Sequence, residues 1–482
     1  MNTLERRTAS GQSLSVAQAD ATNAPLIVYI DFKSPYAYLA IEPTRRMLKT
    51  AGLVADWRPF VLNIGSYLGT AKLAKDGKVE KQNRSQEQWS GVKYAYFDCR
   101  RYANLTDLTI RGTVKIWDTN LPALGMWWLK LHEDLAAQNT ANGLLQRYID
   151  AVYQPFWRRE FDAEDLEAIV QVLELIGAPS DGFRDFATGE GMVFNDAMQQ
   201  QVFNDGVYGV PTYRLPGHTD ASGTPSQFFG REHLPRIAWM LEGENGLAPD
   251  VAYQLASELD TSALQKSATQ PGVAQGMTRL PVYFDFKSPA SYLALPTLLE
   301  LKKHHGVDVS WHPIDHKPLH QPAQQTANED RASAHRRIRG EYIAADLQRY
   351  APHPLRDIYL STDCSYAHMG LLWLAEAACE CVSAYVEAVF VALWRDHQDI
   401  ESIAAITELL VLAVGARPLD MAAWQGFLQD FLQHQGDAAL AAAYDQAAAN
   451  GVTSAPTFFL GDEPFQGRAH LPLLLARLRA GV

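Results

Sequence analysis

Leu26 to Ala40 reads LIVYIDFKSPYAYLA, and Leu280 to Ala294 reads LPVYFDFKSPASYLA. The likeness continues in order along the chain. Trp57-Arg58-Pro59 is answered by Trp311-His312-Pro313, and Asp98 to Ala103 (DCRRYA) by Asp346 to Ala351 (DLQRYA). Tyr148 and Trp157 are answered by Tyr385 and Trp394, Gly206 to Thr212 by Gly451 to Thr457, and Phe229 to Pro235 by Gln466 to Pro472. Six ordered matches with only small drifts in spacing exceed chance. They predict a tandem duplication of a unit of about 210–230 residues, a whole domain rather than a solenoid repeat. The expected parts are a polar tail (1–24), a first unit (25–242), a linker (243–278) and a second unit (279–482). The linker carries a helical pattern from Asp250 to Leu264 and then a polar Gln/Ser/Gly/Pro stretch.

Each unit reads in the same order. A short apolar run, Leu26 to Ile30 or Val282 to Phe284, has the look of a buried strand. It enters a Ser-Pro turn and an apolar-spaced helix, with Ser34 or Ser288 at the N-cap and Pro35 or Pro289 in the first turn. A second strand follows, Leu53 to Arg58 or Val307 to His312. A helical insertion comes next, at about 86–190 in the first unit and about 331–440 in the second. Then X-Pro-Thr leads into a strand, a hairpin and a closing helix. The order predicts an α/β fold of two thioredoxin-like domains, each with a helical insertion; an all-helical domain and a β-sandwich both fail on it.

Composition removes several functions. Lys and Arg number 42 against 55 Asp and Glu, a net charge of −13. Such a chain repels phosphate backbones and anionic membrane surfaces, so neither nucleic acid nor membrane is an expected partner. No apolar run approaches the roughly 20 residues of a membrane helix. The tail lacks the apolar core of a signal peptide, so export is not expected. The four cysteines are Cys99, Cys364, Cys379 and Cys381, with no C-x-x-C pair. They fit a reducing, cytoplasmic setting. Cys379 and Cys381, on an Ala-rich helical stretch, read as small buried hydrophobes.

The chemistry is expected where the first strand meets its helix. Redox thioredoxin-like proteins place C-x-x-C at that turn; here it reads Ser34-Pro35-Tyr36-Ala37 and Ser288-Pro289-Ala290-Ser291. Without cysteine, the turn cannot exchange disulfides. A hydroxyl at a helix N-terminus can instead donate to an external thiolate and, with the helix dipole, lower that thiol's pKa. The competing reading is that each serine only caps its helix. The second end of the site is Val210-Pro211 and Ala455-Pro456. Frequencies of X-Pro bonds alone favour trans there. A peptide could pair with that edge by strand addition.

These pieces together resemble the 2-hydroxychromene-2-carboxylate isomerases and kappa-class glutathione transferases, within the DsbA-like thioredoxin superfamily. The motifs are DFKSPYAYLA, the Asp-x-x-Arg-Tyr-Ala helix, GVPT and the FFGREHL hairpin exit, and they cover nearly the whole chain twice. The resemblance implies glutathione as cosubstrate, its sulfur held as thiolate by Ser34 or Ser288. It implies cis bonds before Pro211 and Pro456, with the backbone of Val210 and Ala455 pairing with the cysteinyl part of glutathione. It implies that Arg231 and Glu232, or Arg468, meet the γ-glutamyl end. A thiolate that adds to an electrophilic double bond, allows rotation and leaves again makes glutathione a nucleophilic catalyst.

The chain departs from the pattern in places. Relatives carry Asn-Asp, Gln-Asp or Ser-Asp after the hairpin glycine, whereas here the pairs are Arg231-Glu232 and Arg468-Ala469. The first unit keeps Tyr36 where the second has Ala290, so the first is the better glutathione site. Lys33 and Lys287 put a cation where relatives often carry an apolar residue. It either helps hold a thiolate or carboxylate, or is a solvated surface lysine. Asp98/Arg101 and Asp346/Arg349 read as surface or interdomain ion pairs. Trp127, Trp128, Trp157, Trp373 and Trp394 read mostly as core, with one or two free to line a cleft. His312, His316 and His320 have helical spacing, but Pro313 and Pro318 break the helix a metal face would need. The expected activity is a glutathione-dependent isomerase or transferase of aromatic compound catabolism, acting on a hydrophobic carboxylate, aromatic ones included. The two units are expected to pack as an intrachain pseudo-dimer. The alternative is a non-catalytic thioredoxin-like module that holds a peptide or protein.

Overall fold

The computed structural model describes residues 15–16, 21–73, 79–220, 223–254, 279–415 and 421–480. Most of the expected polar tail and most of the linker lie outside the described residues. Of the helix expected from Asp250 to Leu264, residues 250–254 are irregular and the remainder lies outside. The chain divides into two compact units, Met1–Val251 with Gln324–Arg339, and Ala252–Ala323 with Gly340–Val482. Among the described residues, no helix is long and apolar enough to cross a membrane.

In unit 1 the all-buried strand Leu26–Ile30 forms the centre of a four-stranded sheet. It pairs in parallel with Ala55–Pro59 on one side and antiparallel with Thr212–Thr219 on the other, and Pro225–Phe229 closes the edge. Unit 2 has the same order: Asp308–Pro313, Arg279–Phe284, Thr457–Leu460, Glu463–Gln466. The registers also agree. Val28 faces Trp57 as Val282 faces Trp311, and Tyr29 faces Thr212 as Tyr283 faces Thr457. A strand buried on both faces needs an uninterrupted apolar run, which LIVYI supplies.

Both central strands run into a helix of the same construction. Ser34 caps Pro35–Ala51 and Ser288 caps Pro289–His305, each serine Oγ accepting from the amide three residues on. Gly52 (φ 66°) and Gly306 (φ 64°) end these helices in the left-handed conformation that glycine adopts most easily. Between the second and third strands, unit 1 inserts helices that include Gln86–Ala103, Asn120–Lys130 and Leu144–Trp157; unit 2 inserts Ser365–Ala377 and Val382–Trp394 among others, and helix Arg331–Tyr350 belongs to unit 1 up to Arg339 and to unit 2 from Gly340. A short helix, Ile64–Leu68, and a two-stranded hairpin, Ala71–Leu73 with Val79–Gln82, precede the unit 1 helices and had no clear signal in the sequence.

Packing inside the insertions corrects two readings. Asp98 and Arg101 form a 2.9 Å ion pair whose side chains are almost wholly buried, so it is a core pair and not a surface one. Helical i, i+3 spacing reports who can pair, not which face the pair turns to. Cys379 is exposed and Cys381 half-buried, because Cys379–Cys381 is a single 3-10 turn between helices and not part of a packed helix. Trp127, Trp128, Trp157 and Trp394 are core, whereas Trp373 is only half-buried.

A glycine makes each insertion core possible. Tyr148 donates to the Pro122 carbonyl at 3.1 Å and Tyr385 to the Ala367 carbonyl at 2.9 Å. The hydroxyls pass over Gly125 and Gly370, where an added Cβ would overlap the Tyr148 hydroxyl or stand 2.6 Å from that of Tyr385. Gly125→Ala is therefore expected to cost about 1–3 kcal/mol by overpacking. Tyr148→Phe should recover part of that loss in the double variant, read as non-additive shifts of the urea midpoint.

Candidate functional site

The Ser-Pro turn brings together groups from across unit 1. Ser34 is 6% exposed. Its Oγ accepts from the Ala37 amide at 3.2 Å and donates to the Val210 carbonyl at 3.4 Å. Val210-Pro211 is cis, as is Ala455-Pro456. Unit 2 repeats the contact: Ser288 Oγ accepts from Ser291 N at 3.2 Å and donates to the Ala455 carbonyl at 3.3 Å. Each serine is thus a helix cap and also joins the two ends of the site. The capping function by itself does not require the second bond.

Lys33 is buried, which corrects the reading of it as a solvated surface lysine. Its Nζ stands 3.2 Å from Asp31 Oδ2 and 3.0 Å from Thr119 Oγ1. Asp31 also accepts from Thr119 Oγ1 at 2.6 Å, the Leu62 amide at 2.7 Å and the Lys33 amide at 3.3 Å. Asp31 lies inside the repeated DFKSP, and its recurrence as Asp285 is the signal in the sequence that points to it. Thr119 had none, since only folding brings it to the turn.

Unit 2 builds the same position differently. Asp285 accepts from the His316 amide at 2.7 Å and the Lys287 amide at 3.0 Å, as Asp31 does from its counterparts. Cys364, the residue before helix Ser365–Ala377, stands where Thr119 stands before Asn120–Lys130. Lys287 swings outward to Asp315 at 2.6 Å and keeps Asp285 at 3.4 Å. Burial pulls its pKa down, but the two carboxylates outweigh that and leave it raised. The buried His368 lies beside Asp285 instead, Nε2 to Oδ1 at 3.6 Å, with Nδ1 2.8 Å from the Tyr444 hydroxyl. Burial is the largest influence on His368 and holds its pKa below the ordinary histidine value despite Asp285.

Tyr36 donates to Asp98 at 3.2 Å, so the buried Asp98–Arg101 pair positions the tyrosine of the turn. Ala290 removes that link in unit 2. Arg231 is 3% exposed, its guanidinium 4.4 Å over the Tyr102 ring, and Arg468 lies 5.1 Å over Tyr350. Both arginines pack the hairpin exit against the long insertion helix. Glu232 is half-buried, its carboxylate folded over Gly230, which has φ 110°.

A cavity of about 620 Å³ adjoins the unit 1 turn. Lys33, Ser34, Pro35 and Tyr36 line one part of it. Leu62, Ile64, Trp89, Val92, Ile116 and Trp117 contribute apolar walls. Every charged residue in its lining is a cation: Lys33, Arg84, Lys93, Arg100, Lys115 and Arg159. Val210, Arg231 and Glu232 are not in the lining. The aromatic wall is Trp89 and Trp117, not the tryptophans that helical spacing had suggested. Such a chamber suits an apolar anion, and the Ser34 hydroxyl with its helix N-terminus suits a negatively charged atom.

Residues 279–479 match the family described as DSBA-like thioredoxin domain. The chain is 30% identical over 199 residues to a 2-hydroxychromene-2-carboxylate isomerase of Pseudomonas sp. (strain C18), covering 40% of this chain and 86% of that protein. It is 28% identical over 198 residues to the enzyme of the same name from Pseudomonas putida, covering 40% of this chain and 90% of that protein. A solved structure of a 2-hydroxychromene-2-carboxylate isomerase aligns with 42% of this chain and 95% of its own, at 25% identity and a TM-score of 0.32.

Two outcomes follow from the buried carboxylates. Lys33→Met leaves Asp31 without its cation and should cost about 3–5 kcal/mol. Lys287→Met should cost less, because His368 and two amides still face Asp285; urea midpoints of the two variants make the comparison. His368 titrates at its ordinary value once unfolded and at a lower one when folded. Its contribution is present above the unfolded pKa and is lost as pH falls below it. Between pH 7.5 and 5 the parent's urea midpoint should therefore drop further than that of His368→Gln.

Proposed function

Since this chain belongs to the 2-hydroxychromene-2-carboxylate isomerase family, we propose that it is a glutathione-dependent isomerase or transferase for apolar carboxylates, formed by tandem duplication, with unit 1 as its better site. The observation that carries the reading is Ser34. A hydroxyl at a helix N-terminus bonds the carbonyl before a cis proline, next to an apolar cavity lined by cations.

The donor set fits glutathione. Ser34 Oγ–H is the only donor of its side chain, and rotating it away from Val210 makes it available to a sulfur anion. The first-turn amides of Pro35–Ala51 add their partial positive charge at the same place. The Val210 backbone, freed of Ser34, offers its carbonyl to a peptide-like amide. Tyr36, held by Asp98, shapes the wall beside the turn. Bound glutathione supplies a nucleophilic sulfur able to add to, and leave, an unsaturated carbon. The chain's own part is to keep that sulfur ionised, to exclude water with Trp89, Ile116 and Trp117, and to orient an acceptor. Lys33 gives less direct help than its sequence position promised, because Asp31 neutralises it. A half-open, mostly apolar cavity of about 620 Å³ favours a small molecule over an extended peptide.

Calorimetry with glutathione tests this reading on the parent, Ser34→Ala and Ser288→Ala. Loss of a charge-assisted hydrogen bond should weaken binding to Ser34→Ala about 10- to 100-fold. It should also reduce the ultraviolet thiolate band of bound glutathione, with Ser288→Ala closer to the parent. No heat and no thermal stabilisation at millimolar glutathione would sink the cosubstrate and leave the peptide-binding module as the better account.

A further inference from the structure

The cations of the unit 1 cavity are not equivalent. Lys33 is neutralised by Asp31, and Lys115 by Glu164 at 2.5 Å. None of the other four has a carboxylate partner among the described residues; Arg84 donates to the Leu68 carbonyl at 3.1 Å and lies 5.2 Å over the Trp89 ring, and the remaining three are Lys93, Arg100 and Arg159. Arg100 lies 5.9 Å from the Tyr96 ring centre. Arg159 donates to the neutral Gly112 carbonyl, Nε at 2.7 Å. These contacts leave both arginines, which are exposed, without a counter-ion.

Two of the three converge, and the third shares their cavity. Lys93, Tyr96 and Arg100 are spaced i, i+3, i+7 on helix Gln86–Ala103, and all three line the cavity. Arg159 follows helix Leu144–Trp157 with φ 62°, a left-handed conformation uncommon outside glycine. Arg100 Nη2 and Arg159 Nη2 stand 3.8 and 3.9 Å from the point where a Cβ would sit on Gly112. Two guanidinium groups brought to one point repel each other, and an anion between them reverses the sign of the interaction. The planar guanidinium fork matches a carboxylate. In a chain of net charge −13, a cavity whose charged lining residues are all cations selects for charge.

We infer that Lys93, Arg100 and Arg159 form a carboxylate subsite of the unit 1 cavity, separate from the Ser34 turn. It fixes where the carboxylate of the acceptor proposed above is held. This rests on the small-molecule reading of the site above. The wall residues Trp89 and Trp117 take the apolar body by ring contact, and the cations take the acid. Glutathione carries carboxylates of its own, so the test separates the two sources.

The ligands for the test are 2-naphthoate and its uncharged counterpart 2-naphthamide, titrated by calorimetry and by quenching of tryptophan fluorescence, without glutathione. The parent should bind the acid about tenfold or more tightly over the amide, a preference that shrinks as salt rises. Arg100→Gln/Arg159→Gln should abolish that preference and leave amide binding unchanged, with Lys93→Gln reducing it. Arg100→Lys/Arg159→Lys, which keeps charge but loses the fork, should retain part of it. Equal binding of acid and amide by the parent overturns the subsite. So does equal weakening of both in the Gln variants, which signals a damaged cavity. If the Gln variants lose glutathione affinity and keep the naphthoate preference, the cations serve the cosubstrate and the inference falls. A parent that binds no glutathione yet prefers the acid sustains the subsite while the proposed activity fails.

Discussion

The carboxylate of Asp31 holds together parts of unit 1 that are distant in sequence. It sits at the end of the central strand and receives the amide of Leu62, the hydroxyl of Thr119 and the ammonium of Lys33. Sheet, turn and helical insertion therefore meet on one buried charge. A buried carboxylate is tolerated only when its lone pairs are filled, so each donor is fixed in position by the others. The Ser34 turn follows directly on this anchor, and Tyr153 adds a bond to the Asp31 carbonyl at 3.0 Å. The fixed geometry of the serine depends on that arrangement.

Unit 2 keeps the anchor and changes what surrounds it. Asp285 has the same two amide donors, but Cys364 replaces the threonine, Lys287 turns to Asp315, and His368 with Tyr444 takes up the space. The carboxylate is compensated by a different set of groups at the same place. The turn also lacks a tyrosine where unit 1 has Tyr36. Equal strand order and register therefore coexist with unequal surroundings of the two serines. This is expected where the sheet is held by burial of apolar strands and the site by a few polar contacts.

Much of the architecture could be read in the residues. The apolar runs LIVYI and LPVYF, the Ser-Pro caps and the X-Pro-Thr segments lie at strand centres, helix starts and strand starts, because each is a local signal with a local cause. The misreadings share one origin. Asp98–Arg101 is visible as an i, i+3 pair, but its burial depends on what packs over it. Lys33 looks like a surface lysine until Thr119, far along the chain, is brought alongside. Trp89 and Trp117 become cavity walls only because the segment after helix Gln86–Ala103 turns back along it. None of these is a periodicity, so no window of sequence contains it.

The sequence by itself determined the doubled plan, the absence of a C-x-x-C pair and the placing of a serine at each helix N-terminus. These follow from residue identity and short spacing, which act before the chain is compact. Only the tertiary structure decided which lysine is neutralised, that Tyr36 leans on Asp98, and that Lys93, Arg100 and Arg159 share the cavity next to Ser34 with no acid in its lining. Charge compensation and cavity shape depend on groups brought together across the chain, and folding alone sets those distances.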